Sequence, residues 1–300
     1  MQRRTFLKSA VIGAASAAVL HALPAYAGID TNPVSLVQLT PQIKTSRVGM
    51  GTGVHASMRR SNLNKMDRNQ ALDIIRFAYD SGVRFFDMAD SYGTHEIVAQ
   101  ALEGKPRDSY VLSTKIWVHP GGIPEKERYT ADILLERFLK ELKTDYIDLV
   151  NLHCMMGDDW ESKYEYQFKP MDTLKEKGII RAHGITTHTL AAAKRGAVNP
   201  WVDTMHARLN NAQKKMDGTW EQNVEVLKTA KQNNKGIIIM KVLGEGTINT
   251  PEGRKSTISA VTRMPYKDVM IVGFEKREHV TEFLENVESA LKEQVSGETK

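Results

Sequence analysis

The chain has 300 residues, of which 41% are hydrophobic and 26% charged, and its formal net charge is +5. This composition is close to the average for folded proteins and excludes intrinsic disorder and a largely membrane-embedded protein. Cys154 is the only cysteine, which excludes an internal disulfide and a cysteine-based zinc site. Packing must therefore supply the stability.

The first 27 residues predict an export signal. Arg3 and Arg4 begin a basic head, an alanine-rich apolar run follows, and residues 25–27 read Ala-Tyr-Ala. This order is typical of a twin-arginine signal peptide that is cleaved after residue 27. A retained membrane anchor is the alternative, although the apolar run is short for a membrane span. We therefore expect an exported, periplasmic protein whose partners include the twin-arginine export machinery.

The predicted mature chain, residues 28–300, is less basic than the whole. Removing residues 1–27 removes three cations and no anion, so the formal charge falls from +5 to +2. No block of lysine and arginine remains, so a nucleic-acid surface is not expected. No stretch suggests a stable membrane span after cleavage.

Short apolar segments alternate with longer amphipathic ones along residues 47–286, and no linker divides them. Short β-branched or aromatic runs predict strands, and apolar residues every three or four positions predict helices. In residues 131–142, for example, Leu134, Phe138 and Leu142 form one apolar stripe. Eight strands are predicted in this way, at residues 47–50, 83–86, 110–113, 146–152, 179–185, 202–206, 236–240 and 269–272.

Eight strand–helix units in one undivided chain favour an α/β fold of a single domain, the closed (β/α)8 TIM barrel, over an open sheet. Asp67 is the predicted cap of the first helix, and a later helix is predicted between Thr94 and Gly104. Residues 155–167 lack periodicity and are interpreted as a loop near the substrate. The stretch from Met240 to Thr257 is predicted to be irregular and to precede a weak helix.

Four reactive side chains follow three neighbouring predicted strands. Asp87 and Tyr92 follow the second strand, Lys115 ends the third, and His153 ends the fourth. Each residue type alone has ordinary structural roles, such as capping a helix or facing solvent. In barrels of this kind the chemistry lies at the carboxyl ends of the strands, so together they predict a catalytic site.

On these residues the chain resembles the aldo-keto reductase superfamily, over residues 47 to about 286. The resemblance rests on Gly-Val-Arg-Phe-Phe-Asp-Met-Ala-Asp-Ser-Tyr-Gly at 82–93, on Ser-Thr-Lys at 113–115 and on residues 142–153. It implies that Asp87, Tyr92, Lys115 and His153 are the catalytic residues of an oxidoreductase. It also implies an eight-stranded barrel that binds NADPH or NADH without a glycine-rich dinucleotide loop.

The implied reaction is reduction of an aldehyde or ketone, a small-molecule carbonyl substrate, or oxidation of the corresponding alcohol. Tyr92 would be the general acid, although a free phenol, with a pKa of about 10, is a weak acid. Lys115 is expected to lower the pKa of Tyr92, and Asp87 to keep that lysine charged. His153 is expected to orient the substrate oxygen.

The implied cofactor contacts depart from the commonest pattern of the family. Thr186 and Thr187 stand where Ser-Asn is common, His206 replaces a glutamine, and Met240 replaces a stacking ring, as in a less characterised branch. Thr187 and His206 can still hydrogen-bond an amide. The full predicted set is Gly51, Thr52, Thr186, Thr187, His206, Met240, Lys241, Leu243, Gly273, Phe274 and Lys276.

The choice between NADPH and NADH stays open in the sequence. NADPH-selective relatives often carry a lysine at Gly273 and an arginine at His279, and neither is present here. Lys276 or Arg277 are the candidate substitutes.

Trp117 and His119, after the third strand, are predicted to line the substrate pocket; a plain exposed loop is the alternative.

The same residues allow three other functions to be considered. A metal-dependent hydrolase is disfavoured, because the first strand has no His-x-His pair; its ligands would be His153, His183, His206 and Asp87. A Schiff-base aldolase using Lys115 is disfavoured, because Asp87 would keep that lysine protonated. A barrel that binds NAD(P) without catalysis, as a redox sensor or partner-binding protein, remains the alternative.

Overall fold

The computed structural model describes residues 30–297, and the predicted signal peptide lies outside the described residues. The chain first forms an antiparallel hairpin of β1 (Leu36–Thr40) and β2 (Ile43–Ser46). Leu39 and Ile43 join the apolar cluster inside the barrel, and the Leu39 carbonyl packs against the start of a barrel strand at Gly236. The hairpin therefore covers the amino-terminal end of the barrel. Sequence analysis did not predict it.

Eight parallel strands form a closed barrel, and all eight predicted strands are confirmed. The last strand pairs with the first, which closes the sheet. Closure forces the carboxyl ends of all strands to one mouth. The strands are β3 (Val48–Gly51), β4 (Phe85–Asp87), β5 (Val111–Trp117), β6 (Ile147–Met155), β7 (Ile180–Thr187), β8 (Thr204–Arg208), β9 (Gly236–Met240) and β10 (Val269–Val272).

Helices follow the strands and cover the outside of the barrel. They are α1 (Asn62–Lys65), α2 (Arg68–Asp80), α3 (His95–Ala101), α4 (Ala131–Leu142), α5 (Trp160–Lys163), α6 (Phe168–Glu176), α7 (Leu190–Val198), α8 (Trp220–Gln232), α9 (Pro251–Arg263) and α10 (Arg277–Ser296). Over residues 30–297, none of them combines the length and the apolar character that crossing a bilayer requires.

The helix boundaries confirm some predictions and correct others. The Asp67 side chain accepts hydrogen bonds from the amides of Asn69 and Gln70 and caps α2, as predicted. The prediction for α9 was wrong: the helix begins at Pro251, because the Thr250 hydroxyl caps it and a proline suits the first helical position. The segment predicted as a loop at 155–167 contains the short helix α5.

Two apolar layers hold the barrel. The larger lies between the strands and the helices, and the smaller lies inside the barrel beneath the mouth. Phe85, Val111 and Leu149, from three adjacent strands, belong to the inner layer. Because side chains alternate along a strand, residues two and four positions further on also face the interior. That alternation positions the polar site described next.

Candidate active site

Strand alternation directs the predicted catalytic residues into the barrel. Asp87 lies two residues beyond Phe85, Lys115 four beyond Val111, and His153 four beyond Leu149. Asp87, Lys115 and His153 are 3%, 1% and 5% exposed. They lie at or near the carboxyl ends of β4, β5 and β6, above the inner apolar layer. The sequence therefore fixes both the depth and the direction of three of the four side chains.

The carboxylate of Asp87 is the centre of the buried polar cluster. It accepts hydrogen bonds from Lys115 Nζ at 2.6 Å, from Ser113 Oγ at 3.0 Å and lies 3.2 Å from His206 Nε2. Burial alone would raise the pKa of Asp87, but the charge of Lys115 and the bond to His206 outweigh it and lower the pKa. Asp87 and Lys115 thus form a charged pair in the core.

Tyr92 lies on a single turn after β4, and its hydroxyl is 3.4 Å from His153 Nε2. Lys115 Nζ lies 5.0 Å from the centre of the Tyr92 ring. Burial and the negative charge of Asp87 raise the pKa of Tyr92 well above 10. The pKa of Tyr92 therefore does not lie below that of a free phenol, as was expected, because burial outweighs the favourable charge of Lys115. The phenol keeps its proton at neutral pH.

A group of side chains behind the site holds the turn that carries Tyr92. Asn64 Nδ2 donates to the carbonyls of Tyr92 at 2.9 Å and Gly93 at 3.2 Å. Asp90, in the same turn and 2% exposed, pairs with Arg59 at 2.9 Å and Arg137 at 2.8 Å. We call Asn64, Asp90, Arg59 and Arg137 the turn clamp.

Gly53 and Gly93 bring the backbone close to the same turn. A Cβ at Gly53 would overlap the Tyr92 ring, and one at Gly93, whose φ is +66°, would overlap the Arg59 carbonyl. Both positions therefore need glycine, since the chain approaches too closely for any side chain.

His153 faces the mouth beside the two predicted substrate residues. Burial and the charge of Lys115 lower the pKa of His153 well below 6.5, so the ring is neutral at pH 7. The Trp117 ring centre is 5.0 Å from that of His153, and His119 Nε2 lies 3.1 Å from the His153 carbonyl. The Tyr164 hydroxyl lies 3.0 Å from the other ring nitrogen of His119, Nδ1. The structure thus places Trp117 and His119 against His153.

A cleft of about 380 Å³ opens from Tyr92 and Asp87 and extends along β9 and β10 to the start of α10. No side chain caps α10 in the described structure, so its first amides are available to an anion. Six of the predicted cofactor residues line this cleft: Gly51, Met240, Lys241, Leu243, Gly273 and Phe274.

The other five predicted cofactor residues lie outside the lining of this cleft. The Thr52 hydroxyl bonds the Asp87 carbonyl, Thr186 accepts from the Cys154 amide, and Thr187 donates to the His206 carbonyl. His206 is fully buried, with Nε2 towards Asp87. Lys276 is exposed at the start of α10. Their role in cofactor binding stays a prediction.

Sequence reasoning missed several charged residues at the far end of the cleft. Arg254 and Glu282 line it and pair with each other at 2.7 Å. Asn62 donates to Glu275 at 2.9 Å, which connects the segment after β3 to that after β10. Sequence analysis did not identify Arg254, because it predicted that α9 begins after this residue. A Thr-Pro pair at 250–251 was the available signal.

The structure separates the histidines of the alternative metal site. His183 bonds Asp172 at 3.0 Å and stacks on Trp201, whereas His206 faces Asp87. Within residues 30–297, no three or more His, Cys, Asp or Glu side chains converge on a metal position.

The sequence model of the Aldo/keto reductase family matches residues 47–263, so the protein belongs to that family. Aldo-keto reductase YhdN of Bacillus subtilis is 31% identical over 156 residues, which cover 49% of this chain and 45% of YhdN. D-arabinose 1-dehydrogenase of Saccharomyces cerevisiae is 32% identical over 127 residues, covering 39% and 36%. The chain thus spans less than half the length of these curated relatives.

Solved structures share the fold over most of the chain. A protein of Pseudomonas aeruginosa described as an aldo-keto reductase has a TM-score of 0.70 at 23% identity, covering 87% of this chain and 97% of that one. An aldo/keto reductase of Klebsiella pneumoniae, in complex with NADP and acetate, has a TM-score of 0.63 at 21% identity, covering 84% and 89%. At such identities the likeness establishes the barrel fold.

Proposed function

We propose that the protein is an NAD(P)H-dependent oxidoreductase that reduces an aldehyde or ketone, or oxidises the corresponding alcohol. One observation carries the proposal: the Tyr92 hydroxyl and His153 Nε2 lie 3.4 Å apart beside a buried Lys115–Asp87 pair, at the end of a long cleft. A carbonyl oxygen within hydrogen-bond reach of both atoms would contact a proton donor and an orienting ring together.

The cleft fits a dinucleotide in shape and chemistry. Its catalytic end is flanked by Met240, whose flexible thioether packs well against a flat ring. Its far end reaches the uncapped amides of α10, which suit a phosphate. The part of the dinucleotide between the nicotinamide ring and that phosphate would contact Gly51, Leu243, Gly273 and Phe274. When bound, the nicotinamide supplies or accepts the hydride, and the protein supplies orientation and the proton.

Tyr92 acts as the proton donor in the direction of reduction. Its raised pKa keeps the hydroxyl protonated until the substrate oxygen gains negative charge. As the proton leaves Tyr92 Oη, Lys115 supplies the nearby positive charge that stabilises the phenolate. Asp87 holds the lysine in place, and neutral His153 donates a hydrogen bond to the same substrate oxygen.

A substrate screen tests the proposal. The purified protein is incubated with a panel of aldehydes and ketones and with NADH or NADPH, and cofactor oxidation is followed at 340 nm. We expect turnover with at least one carbonyl. Binding of cofactor without turnover of any substrate, in either direction, would favour the sensor alternative.

We further propose that residues 1–27 direct twin-arginine export of the folded protein to the periplasm. The supporting observation is the paired Arg3 and Arg4 ahead of an apolar run and an Ala-Tyr-Ala motif. That route would let the protein leave the cytoplasm with its cofactor bound. Changing both arginines to lysine should leave the precursor in the cytoplasm, as seen by fractionation. Unchanged export of the variant would contradict the proposal.

A further inference from the structure

Three soft or borderline metal-binding atoms meet beside His153 without any part in the proposed reaction. The Sγ atom of Cys154 lies 2.9 Å from His188 Nδ1 and 3.9 Å from the sulfur of Met156. The ring centres of His188 and His153 are 6.5 Å apart. We call Cys154, Met156 and His188 the sulfur cluster.

The backbone is shaped to bring these side chains together. Cys154 has a φ of +71° and lies where the pairing of β6 with β7 shifts register. A non-glycine residue in the left-handed region costs free energy and is often found at functional positions. The Thr186 hydroxyl holds the Cys154 amide at 2.7 Å, and Arg208 holds the His188 carbonyl at 2.8 Å. Both surrounding strands thus fix the cluster.

We propose that the sulfur cluster binds one soft monovalent metal ion, Cu(I) or Ag(I), between Cys154, Met156 and His188. Thiolate and thioether ligands select such ions over harder ones, and imidazole accepts copper as well. Cys154 is the only cysteine of the chain, so the site cannot form a disulfide within the chain.

The distances allow a shared ion after a small movement. With the bond lengths of zinc sites as a guide, about 2.3 Å to sulfur and about 2.0 Å to nitrogen, tetrahedral angles put two sulfurs about 3.8 Å apart and sulfur and nitrogen about 3.5 Å apart. The two sulfurs already have that spacing. The half-buried His188 ring must move away from Cys154 by about 0.6 Å relative to its position here.

The metal would take the place of the thiol proton. The Cys154 thiol and the His188 imidazole lie 2.9 Å apart as a hydrogen-bonded pair. Binding forms the metal–sulfur bond and breaks the S–H bond, which releases one proton per ion and changes no oxidation state.

Access to the cluster from solvent is through Met156. Met156 is 50% exposed, whereas Cys154 is 9% exposed. An ion would therefore reach the thiol past the methionine and would be held beside His153. Since the binding measurement needs no substrate, its result does not depend on the proposed carbonyl reduction.

Silver titration tests the site directly. Ag(I) is added to the purified protein in nitrate buffer by calorimetry, and Cu(I) is measured anaerobically against a coloured chelator. We expect one ion per chain, release of one proton, and an X-ray absorption spectrum with two sulfur and one nitrogen neighbours. Half an ion per chain, with two sulfurs and no nitrogen, would show instead that thiols of two chains share the metal.

Variants test whether all three side chains bind the metal ion or whether Cys154 binds it alone. Cys154→Ser should abolish tight binding, and Met156→Leu and His188→Gln should each weaken it by roughly 10- to 100-fold. Met58→Leu, at another half-exposed methionine, is the matched control and should bind as the parent does. If Met156→Leu and His188→Gln both bind like the parent, the proposal is wrong. Met156 is exposed, so its variant remains informative even if Cys154→Ser does not fold.

Discussion

The two ends of the cleft are built differently. At the catalytic end, Asp87 and Lys115 are almost completely buried and hold each other at 2.6 Å. At the far end, Glu275 and Arg277 are exposed, and they pair with Asn62 and Asp73 on the surface. The side chains at the catalytic end therefore have little freedom to rearrange, whereas those at the far end are surrounded by solvent.

The difference has consequences for energy and for function. Breaking a buried charged pair costs several kcal/mol, because the remaining charge is left without a partner, whereas exposed pairs contribute about 0–1 kcal/mol. We therefore expect substitutions at the catalytic end to have large effects and those at the far end to have small ones. Under the proposed function, the catalytic end would determine whether the reaction occurs, and the far end would adjust which cofactor is preferred.

The largest effect is expected from Tyr92→Phe. The change removes the hydroxyl that faces His153 and keeps the ring, so turnover should fall by about 10²–10⁴-fold while cofactor binding persists. Steady-state kinetics and cofactor fluorescence measure the two quantities. Tyr166→Phe, at an exposed tyrosine, is the control. Near-normal turnover of Tyr92→Phe would remove the basis for assigning the proton donor.

A second change tests whether the turn clamp contributes to catalysis. Asn64→Ala leaves the carbonyls of Tyr92 and Gly93 without their donor, so the protein should lose about 1–3 kcal/mol of stability. Turnover should fall by roughly tenfold, because catalysis is sensitive to small displacements of the donor. Urea unfolding and kcat are measured beside Asn69→Ala, an exposed control. Lost stability with unchanged kcat would mean that the clamp is structural only.

The pH dependence of stability tests the charges behind the catalytic end. Glu141 accepts from His95 at 2.7 Å and Arg137 at 2.8 Å; these contacts outweigh burial and lower its pKa from 4.5 to about 2. A lowered pKa stabilises the folded protein above pH 4.5, and this contribution, about 1–3 kcal/mol, is lost as the pH falls towards 2.

At pH 5, Glu141→Gln should therefore have a lower free energy of unfolding than the parent. This difference should disappear as the pH falls to 2, as measured by urea unfolding. Glu136→Gln, on the exposed side of the same helix, should follow the parent at every pH. A difference between Glu141→Gln and the parent that is constant with pH would contradict the pKa of about 2.

The smallest effect is expected at the far end of the cleft. Arg254 can approach a 2′-phosphate, but Glu275 and Glu282 also line the cleft and repel one. NADH and NADPH should therefore bind within about one order of magnitude, or about 1.4 kcal/mol. Arg254→Ala should weaken NADPH binding more than NADH binding, and Lys255→Ala, on the exposed side of α9, should change neither.

A preference for NADPH above about a hundredfold that disappears in Arg277→Ala would overturn this prediction. In the structure Arg277 pairs with Asp73 on the surface, so such a result would require it to turn inward.

The sequence alone predicted the eight barrel strands, which the structure confirms, and it identified four candidate catalytic residues, whose role stays a prediction. Both depend on local patterns: the alternation of side chains along a strand, and short motifs at strand ends that match a known family. Once Phe85 is inside the barrel, for example, Asp87 must be inside as well. Information of this kind is carried by residues that are close in the chain.

The tertiary structure alone decided the contacts between distant segments. His206 lies 119 residues from Asp87 in the chain and 3.2 Å from it in space. The hairpin below the barrel, Arg254 in the cleft and the pairing of Cys154 with His188 are of the same kind. The folded backbone brings these side chains together. A periodicity or motif within a single segment does not predict such contacts. Local patterns therefore determined the barrel and the positions of its candidate catalytic residues, and closure of the barrel determined what surrounds them.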